Sequence, residues 1–288
     1  MSLRERRVAV VTDSAAALGP EQIAEHHLFV PRMEITIDCN TLVDGTNAKL
    51  RDFYARLATS ANVPTTSAPK PAEYLEKFRS AAATAESIFC VSTSAKLSAA
   101  YHSAMVGAEL LIDELPTHVV RVFDSGTTAS SQALISTAAA RVADSGGTIG
   151  EVTDAARTVA NKVRLVAMLD TLRFVHRSGR VPKIAVWATN ALNIKPVMEY
   201  STGRIGAIAR PRSVQRAINR IQSEMTNDLA GRPAHINVMH AGAPDRAEII
   251  RSWAVEDFEC AELFVTQFHP FMGAHTGPGL VGASWWAE

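Results

Sequence analysis

The sequence predicts an α/β protein with two domains: an N-terminal domain built on a parallel sheet and a C-terminal α+β domain with a mixed or antiparallel sheet. Three observations support this fold. The chain has 288 residues, more than a single core usually holds. Apolar β-branched runs alternate with helical segments in its first half, as in parallel βαβ units. Hairpin patterns then replace this alternation. We therefore expect domains at residues 1–162 and 163–288.

Buried strands in the first half are predicted at residues 8–11, 88–91 and 119–123. The run at 8–11 is apolar without interruption, which fits a strand buried on both faces. A further strand is expected at 29–37. Helices are expected between these strands, some of them beginning at a proline, which favours the first helical position. The predicted helices lie at 20–27, 49–59, 71–85, 97–115, 128–143 and 149–163.

The second half is predicted to begin with a strand at 165–169, followed by short helical pieces within 173–192. Residues 196–208 have the pattern of a hairpin that turns at Ser201-Thr202-Gly203. Two helices and three strands complete the domain. The helices are expected at 213–229 and 244–255, and the strands at 235–239, 261–268 and 281–286.

Composition excludes several classes of function. Lys plus Arg and Asp plus Glu both number 29, so the chain has no basic excess of the kind that nucleic acid attracts. No apolar run approaches the ~18 residues of a transmembrane helix. The three cysteines are far apart and form no CxxC pair, which indicates buried thiols in a reducing compartment. We therefore expect a cytoplasmic protein with no transmembrane segment and no nucleic-acid partner.

Small polar side chains follow three of the buried strands: Thr12-Asp13-Ser14, Ser92-Thr93-Ser94 and Asp124-Ser125. The carboxyl ends of parallel strands meet at one edge of a sheet, where ligands commonly bind. Hydroxyl groups and helix N-termini at such an edge can hold an anion. Each group can equally cap the helix that follows it. The occurrence of three such ends favours an anion site.

Residues 275–279, His-Thr-Gly-Pro-Gly, form a second candidate site, because glycine lets a backbone approach a ligand and histidine supplies a donor. A plain turn is the alternative. Residues 277–282 also match GxGxxG, but no helix and second strand follow them, so a dinucleotide site is not predicted. The chain has no GxSxG nucleophile elbow, no phosphate-binding GxxxxGK[ST] loop and no zinc-finger spacing.

Seven short motifs occur in the same order as in the DegV family, and the chain resembles that family over essentially its whole length. They are TDS at 12–14, PTTSAP at 64–69, SAKLSAAYHSA at 94–104, DS at 124–125, TLRFVHRSGR at 171–180, ALNIKP at 191–196 and HTGPG at 275–279.

The resemblance implies a protein that binds a long-chain fatty acid such as palmitate in a tunnel between the two domains. It implies no catalytic residue, no metal and no cofactor other than the lipid ligand. The family's carboxylate pocket corresponds to Thr66, Ser67, Ser94 and His275. Ser98, Thr276 and Gly277 lie in the same segments and are predicted to line the ligand site.

The resemblance also implies a partner. Some bacterial members of the family present the fatty acid to a separate ATP-dependent kinase subunit, which makes acyl phosphate. Arg180 matches the arginine of the family's GGR motif, and Arg210 or Arg212 matches an arginine that follows the hairpin. These three arginines are therefore predicted to face the kinase or its phosphate.

The chain departs from the family at Ala95, Ala99 and Ala100, which replace a serine, a glycine and a threonine. Fewer hydroxyl groups would then face the carboxylate. Two other functions stay open. One is an acyl or phosphoryl hydrolase or transferase, with Ser94 as nucleophile and His275 as base. The other is a regulatory or structural protein whose lipid is incidental.

Overall fold

The computed structural model describes residues 6–45, 50–60, 62, 64–181, 194–201, 204–229 and 231–288. Its strands are β1 (Arg6–Thr12), β2 (Glu34–Ile37), β3 (Asn40–Val43), β4 (Thr65–Ser67), β5 (Ala85–Ser92), β6 (Val119–Asp124), β7 (Arg164–Met168), β8 (Val197–Ser201), β9 (Arg204–Ala209), β10 (Ala234–His240), β11 (Cys260–Gln267) and β12 (Val281–Ala287). Its α-helices are α1 (Pro20–Glu25), α2 (Leu50–Thr59), α3 (Pro71–Ala82), α4 (Ala100–Glu114), α5 (Ala129–Asp144), α6 (Ile149–Lys162), α7 (Arg173–Ser178), α8 (Val214–Leu229), α9 (Pro244–Asp257) and α10 (Pro270–Thr276).

These elements form two compact units. The first comprises Met1–Glu34 and Ser67–Asn161, and the second comprises Ile35–Thr66 and Lys162–Glu288. The division predicted from the sequence, 1–162 and 163–288, placed the segment 35–66 in the first domain. In the structure this segment packs within the second unit.

Three hydrogen bonds explain where the segment 35–66 belongs. The Tyr54 hydroxyl donates to the Phe268 carbonyl at 2.7 Å. Asp44 accepts from the Phe271 N–H at 3.0 Å. The Arg173 guanidinium donates to the Ser60 carbonyl at 2.6 Å. Their partners lie far along the chain, so local sequence patterns carry no sign of them.

The first unit contains the parallel sheet that the sequence predicts. Its strand order is β1-β5-β6, and both pairings are parallel. Helices α3 and α4 bury Tyr74, Phe78 and Leu111 against one face of the sheet. Helix α5 packs along β1. Strands β1 and β5 are buried over most of their length, which is why they lack polar alternation. The expectation that the strand at 119–123 is buried is wrong: β6 lies at the edge of the sheet, and its residues are exposed or half-buried.

Two local expectations in this region are wrong. The strand predicted at 29–37 starts only at Glu34, and Phe29 makes a single bridge to Val11. Pro31 lies between Phe29 and Glu34 and has no N–H to donate to a neighbouring strand. Cys39 is exposed rather than buried, because Asp38 and Cys39 form the tight turn between β2 and β3 with φ of 49° and 63°.

The second unit contains a six-stranded mixed sheet in the order β11-β10-β12-β7-β8-β9. Strands β10 and β11 pair in parallel, and the other four pairings are antiparallel. The apolar face of α8, with Ile218, Ile221 and Met225, packs into the core of this sheet. The predicted hairpin is β8–β9. Its tip at 202–203, like the predicted helical pieces from 182 onward, lies outside the described residues.

A smaller, three-stranded sheet has the order β3-β2-β4. It ends with β4, which carries Thr66, one of the residues predicted to bind the carboxylate. Within the described ranges, no helix is long and apolar enough to cross a membrane.

Candidate functional site

Thr66 and His275 meet in the second unit. Thr66 Oγ1 and His275 Nε2 are 3.1 Å apart and share a hydrogen bond, although 209 positions separate the two residues. Thr66 lies in β4 and His275 in α10. The sequence placed both residues in one carboxylate pocket. The structure brings this pair together.

The helix that carries His275 is held firmly at its start. Asp44, which is fully buried, accepts a hydrogen bond from the Phe271 N–H in the first turn of α10. The ring of Tyr54 lies against Gly273, where an added Cβ would come within 2.8 Å of the ring. The Phe271 and His275 rings meet edge to face, with centroids 5.1 Å apart. These contacts fix the direction in which His275 leaves the helix.

The imidazole of His275 is uncharged at neutral pH. Burial lowers its pKa to about 4, and the positive charge of Arg180 contributes to the same shift. Arg180 is itself exposed, and its guanidinium donates to the Ser178 carbonyl at 2.6 Å. The site therefore contains the Thr66 hydroxyl and a neutral imidazole with one N–H. The positive charge of Arg180 acts on this imidazole.

We expect His275 to make unfolding easier as the pH falls. Its pKa is about 4 in the folded protein and near 6.5 when the chain is unfolded. The unfolded state therefore takes up the proton first, and stability is lost as the pH falls from about 6.5 to 4. At pH 4.5 the loss is roughly 2–3 kcal/mol.

In His275→Gln this part of the pH dependence should disappear, while the amide can still bond to Thr66. Urea unfolding of both proteins at pH 7 and pH 4.5 measures the difference. The other titrating groups are common to both proteins and cancel in the comparison. An unchanged pH dependence in His275→Gln would contradict the low pKa of His275.

The two glycines after His275 have structural roles. Gly277 ends α10 with a φ of +79°, and an added Cβ would come within 2.1 Å of the Phe174 ring. Gly279 has a φ of +85°, and an added Cβ would come within 3.0 Å of Asp170. Thr276 donates its hydroxyl to the Met272 carbonyl one turn back, at 2.9 Å. Thr276 and Gly277 were predicted to bind ligand. The contacts described here shape the helix end.

Next to the loop formed by residues 277–279 lies a charged cluster that was not predicted from the sequence. Asp170 Oδ1 accepts from Lys195 Nζ at 2.9 Å and from Arg246 Nη1 at 3.0 Å. Asp170 follows β7, so the rule that strand ends carry functional polar groups would have found it. Lys195 lies in the ALNIKP motif. Arg246 lies in the first turn of α9 and has no signal in the sequence.

The strand ends of the first unit meet in a buried polar network around Asp13. This side chain is fully buried and accepts from the N–H groups of Thr93, at 2.8 Å, and Ala15, at 3.1 Å. Burial raises its pKa, although these hydrogen bonds act in the opposite direction. Gln132, which no motif indicated, accepts from Thr93 Oγ1 and donates to Thr12 Oγ1. Hydrogen bonds within the protein therefore account for the buried position of Asp13, in agreement with the capping alternative.

Ser94 and Ser98 also belong to the first unit. The Ser94 hydroxyl is buried and accepts from the Lys96 N–H at 3.3 Å. The Ser98 hydroxyl accepts from the Ala100 N–H at 3.2 Å, at the start of α4. Among the described residues, neither hydroxyl donates its own proton to a protein acceptor.

The departures from the family pattern leave this segment in an ordinary conformation. Ala99 has φ −74° and ψ 0°, so its position does not need the freedom of glycine. The backbone N–H of Ala95 donates to Asp124 at 3.2 Å. The segment that carries Ser94 is therefore held by backbone contacts that alanine supports.

The remaining predicted residues lie at the surface. Ser67 is exposed and is the last residue of β4, next to Thr66. Arg210 and Arg212 are exposed between β9 and α8. Thr66, His275 and Arg180 are thus brought together within the second unit. The convergence of Ser67, Ser94 and Ser98 on the same point stays a prediction.

Comparison with known proteins identifies the family. The model of the DegV family matches residues 7–288. A DegV domain-containing protein of Streptomyces coelicolor is 33% identical over 279 residues, which cover 96% of this chain and 97% of the relative.

Solved structures share the fold. A DegV family protein of Thermus thermophilus, described as fatty-acid binding, has a TM-score of 0.89 and 22% identity, and the match covers 98% of this chain and all of that one. One from Eubacterium eligens, loaded with heptadecanoic acid, has a TM-score of 0.86 and 21% identity, with the same coverage. The resemblance inferred from the seven motifs is thereby confirmed: the chain belongs to the DegV family.

Proposed function

We propose that this protein binds a long-chain fatty acid and presents its carboxylate to a separate ATP-dependent kinase subunit, with no chemistry of its own. The observation that carries the proposal is the hydrogen-bonded pair of Thr66 and His275, with a neutral imidazole near Arg180. The fatty acid described in the Eubacterium eligens structure supports the class of ligand.

The pair suits a carboxylate. Burying an unpaired carboxylate costs several kcal/mol, so a site for it needs donors. The Thr66–His275 hydrogen bond uses one proton of the pair, so the pair supplies one donor, either the Thr66 hydroxyl or the second imidazole nitrogen. A hydrogen bond to a charged acceptor contributes ~1.5–3 kcal/mol. A neutral histidine adds no second charge to desolvate. The nearby Arg180 supplies a positive charge that favours the ionised ligand.

The acyl chain would supply most of the affinity. Burial of ~15 methylene groups at ~0.8 kcal/mol each contributes about 12 kcal/mol before association costs of ~4 kcal/mol or more. The tunnel between the two domains, with Ser94 and Ser98 at its polar end, stays a prediction. It is supported by the chemistry of the two serine hydroxyls, which each accept one backbone N–H in the described contacts and belong to a group type that can donate to a carboxylate.

The kinase partner is inferred from the three arginines. Arg180, Arg210 and Arg212 are exposed, and the planar guanidinium group matches phosphate and carboxylate oxygens in a bidentate manner. The positive charge of Arg180 lowers the pKa of His275, which supports a place for Arg180 on the carboxylate side of the proposed site. An arginine there can contact both the ligand and a phosphoryl donor on a docked partner.

The hydrolase or transferase alternative has weaker support. A serine nucleophile needs a base within hydrogen-bond reach. The hydroxyl of Ser94 accepts from the Lys96 N–H, and His275 Nε2 is engaged with Thr66. The described contacts thus favour a binding protein.

Mass spectrometry of material extracted from the purified, denatured protein tests the ligand. We expect about one long-chain fatty acid per chain. Thr66→Val keeps the shape but removes one donor to the carboxylate, and should weaken fatty-acid binding about 10- to 100-fold. Thr65→Val is the matched control, because Thr65 is the exposed neighbour in the same strand. Equal binding by both variants would overturn the role of Thr66, and a wild-type protein that binds no fatty acid would overturn the proposed function.

The same preparations test the partner. With a kinase subunit and ATP supplied, wild-type protein should yield acyl phosphate. Arg180→Ala should keep its fatty acid but lose most of that yield. Turnover of an ester or phosphate by the protein alone, lost in Ser94→Ala, would establish the enzyme alternative instead.

A further inference from the structure

The carbonyl of Gly279 is held by a charged cluster formed by Asp170, Lys195 and Arg246, which we call the Asp170 cluster. Arg246 Nη1 donates to the Gly279 carbonyl at 2.7 Å and to Asp170 Oδ1 at 3.0 Å. Lys195 Nζ donates to the same carboxylate oxygen at 2.9 Å and to the Asp170 carbonyl at 3.3 Å. One arginine nitrogen therefore joins the cluster to the loop that follows His275.

The loop is fixed on its other side by the backbone. The Gly279 N–H donates to the Ala241 carbonyl at 2.7 Å, and the Ala241 N–H donates to the Leu280 carbonyl at 3.0 Å. Gly279 has a φ of +85°, and a Cβ added to it would lie only 3.0 Å from Asp170, so this residue has little room to move. Arg246 thus completes a ring of contacts around Gly279.

The loop is short and leads directly to the site. Three residues separate Gly279 from His275, and the Gly277 N–H bonds to the Gly273 carbonyl at 2.8 Å, which closes the end of α10. A shift of the loop is therefore passed to the last turn of the helix, where His275 is attached. In the described contacts Arg246 touches neither His275 nor Thr66.

Attraction between opposite charges holds the side chains of the Asp170 cluster in place. Asp170 faces two cations, and all three side chains are only partly exposed, at 35%, 26% and 30% for Asp170, Lys195 and Arg246. Partial burial raises the pKa of Asp170, but the hydrogen bonds from Lys195 and Arg246 outweigh it, so the net pKa lies below the ordinary value. The carboxylate stays ionised and keeps Arg246 in place.

We propose that Arg246 is a positioning residue for carboxylate binding: it holds the Gly279 carbonyl and so sets the place from which His275 reaches Thr66. The inference rests on the proposed fatty-acid binding. On this proposal the Asp170 cluster contributes to the ligand site. In the described contacts none of its three side chains forms a hydrogen bond with Thr66 or His275.

The first test compares two ligands of equal chain length, palmitic acid and hexadecanol. Arg246→Met keeps the apolar stem and removes the donors. We expect its affinity for palmitic acid to fall about tenfold, the size of one lost hydrogen bond, with the affinity for hexadecanol changed less than about twofold. A purely structural role would weaken both ligands alike. Arg246→Lys retains a charged donor and should restore part of the preference for the acid.

The second test needs no ligand. The ring of His275, followed by NMR, should titrate near its wild-type pKa of about 4 in Arg251→Met, the matched control. Arg251 lies on the same helix and pairs with Glu248 at the surface, where its side chain is 41% exposed. In Arg246→Met the pKa should rise toward 6.5, because a looser loop admits water to the ring.

The outcomes separate the two claims. If wild-type protein binds neither ligand, the proposed function fails and the His275 titration alone decides the role of Arg246. If wild-type binds palmitic acid but Arg246→Met matches Arg251→Met in both tests, the positioning role is overturned. Should Arg246→Met fail to fold, Asp170→Asn weakens the hold on Arg246 at constant shape and replaces it in both comparisons.

Discussion

Replacing Arg164 with methionine should lower the free energy of unfolding by about 3–5 kcal/mol. Arg164 lies on β7, and its guanidinium contacts Glu199 at 2.9 Å, Glu224 at 3.0 Å and Asp228. These carboxylates are 9%, 15% and 31% exposed. Partial burial lowers the pKa of Arg164, but the hydrogen bonds that it donates to the three carboxylates outweigh this effect and raise the net pKa. Without the arginine, the buried carboxylate of Glu199 loses its ion pair, while Glu224 keeps its pair with Arg220 and Asp228 its hydrogen bond from Trp285.

Denaturant unfolding at neutral pH measures this loss. Arg157→Met is the surface control, because Arg157 pairs with Asp154 where both side chains are more than half exposed. Such a pair contributes ~0–1 kcal/mol. Adding Glu199→Gln to Arg164→Met should recover part of the loss by removing one uncompensated charge. A loss below about 1 kcal/mol in Arg164→Met would contradict the importance of this cluster.

Gly277→Ala should destabilise the protein by about 2–5 kcal/mol and abolish fatty-acid binding. The left-handed conformation at φ +79° costs an alanine ~1–2 kcal/mol. The new methyl group would also overlap the buried ring of Phe174, 2.1 Å away, and overpacking adds ~1–3 kcal/mol. Because Gly277 ends α10, relief of this clash moves the turn that carries His275.

A second glycine separates the two contributions. Gly231 has a φ of +73° and open space around its Cβ position, so Gly231→Ala should show only the conformational cost. Phe174→Leu combined with Gly277→Ala should recover part of the steric loss. Thermal or urea unfolding of the four proteins gives the comparison. Equal losses of unfolding free energy in Gly277→Ala and Gly231→Ala would show that the Phe174 ring moves aside at little energetic cost.

The fold was predictable where local patterns determine it. The runs around Val10 and Phe89 are apolar without interruption, because these strands are buried on both faces, and this indicates a parallel sheet. The strand predicted at 29–37 was wrong in its first half, because Pro31 interrupts the run and the strand starts only at Glu34. The segment 35–66 was assigned to the wrong unit because its partners, such as Phe268 for Tyr54, lie more than 200 positions away.

The candidate site was predictable only in part. The motifs indicated Thr66 and His275, which the structure joins by a hydrogen bond. They also indicated Thr276 and Gly277, whose described contacts maintain the helix end. Gln132 and Arg246 were missed because nothing in their local sequence differs from an ordinary helix. Their importance comes from what they meet in three dimensions, which spacing along the chain cannot show.

The interrupted course of the chain has a consequence for its synthesis on the ribosome. Asp44 is synthesised 227 residues before Phe271, whose backbone N–H donates a hydrogen bond to the Asp44 carboxylate. At a rate of ~5–20 residues per second, this interval lasts roughly 10–45 s. During that time the segment 35–66 is tethered at both ends to the first unit, which has all of its residues by Asn161, while its own partners do not yet exist. The hydrogen bond between Thr66 and His275 can therefore form only after the ribosome has added more than 200 further residues to Thr66.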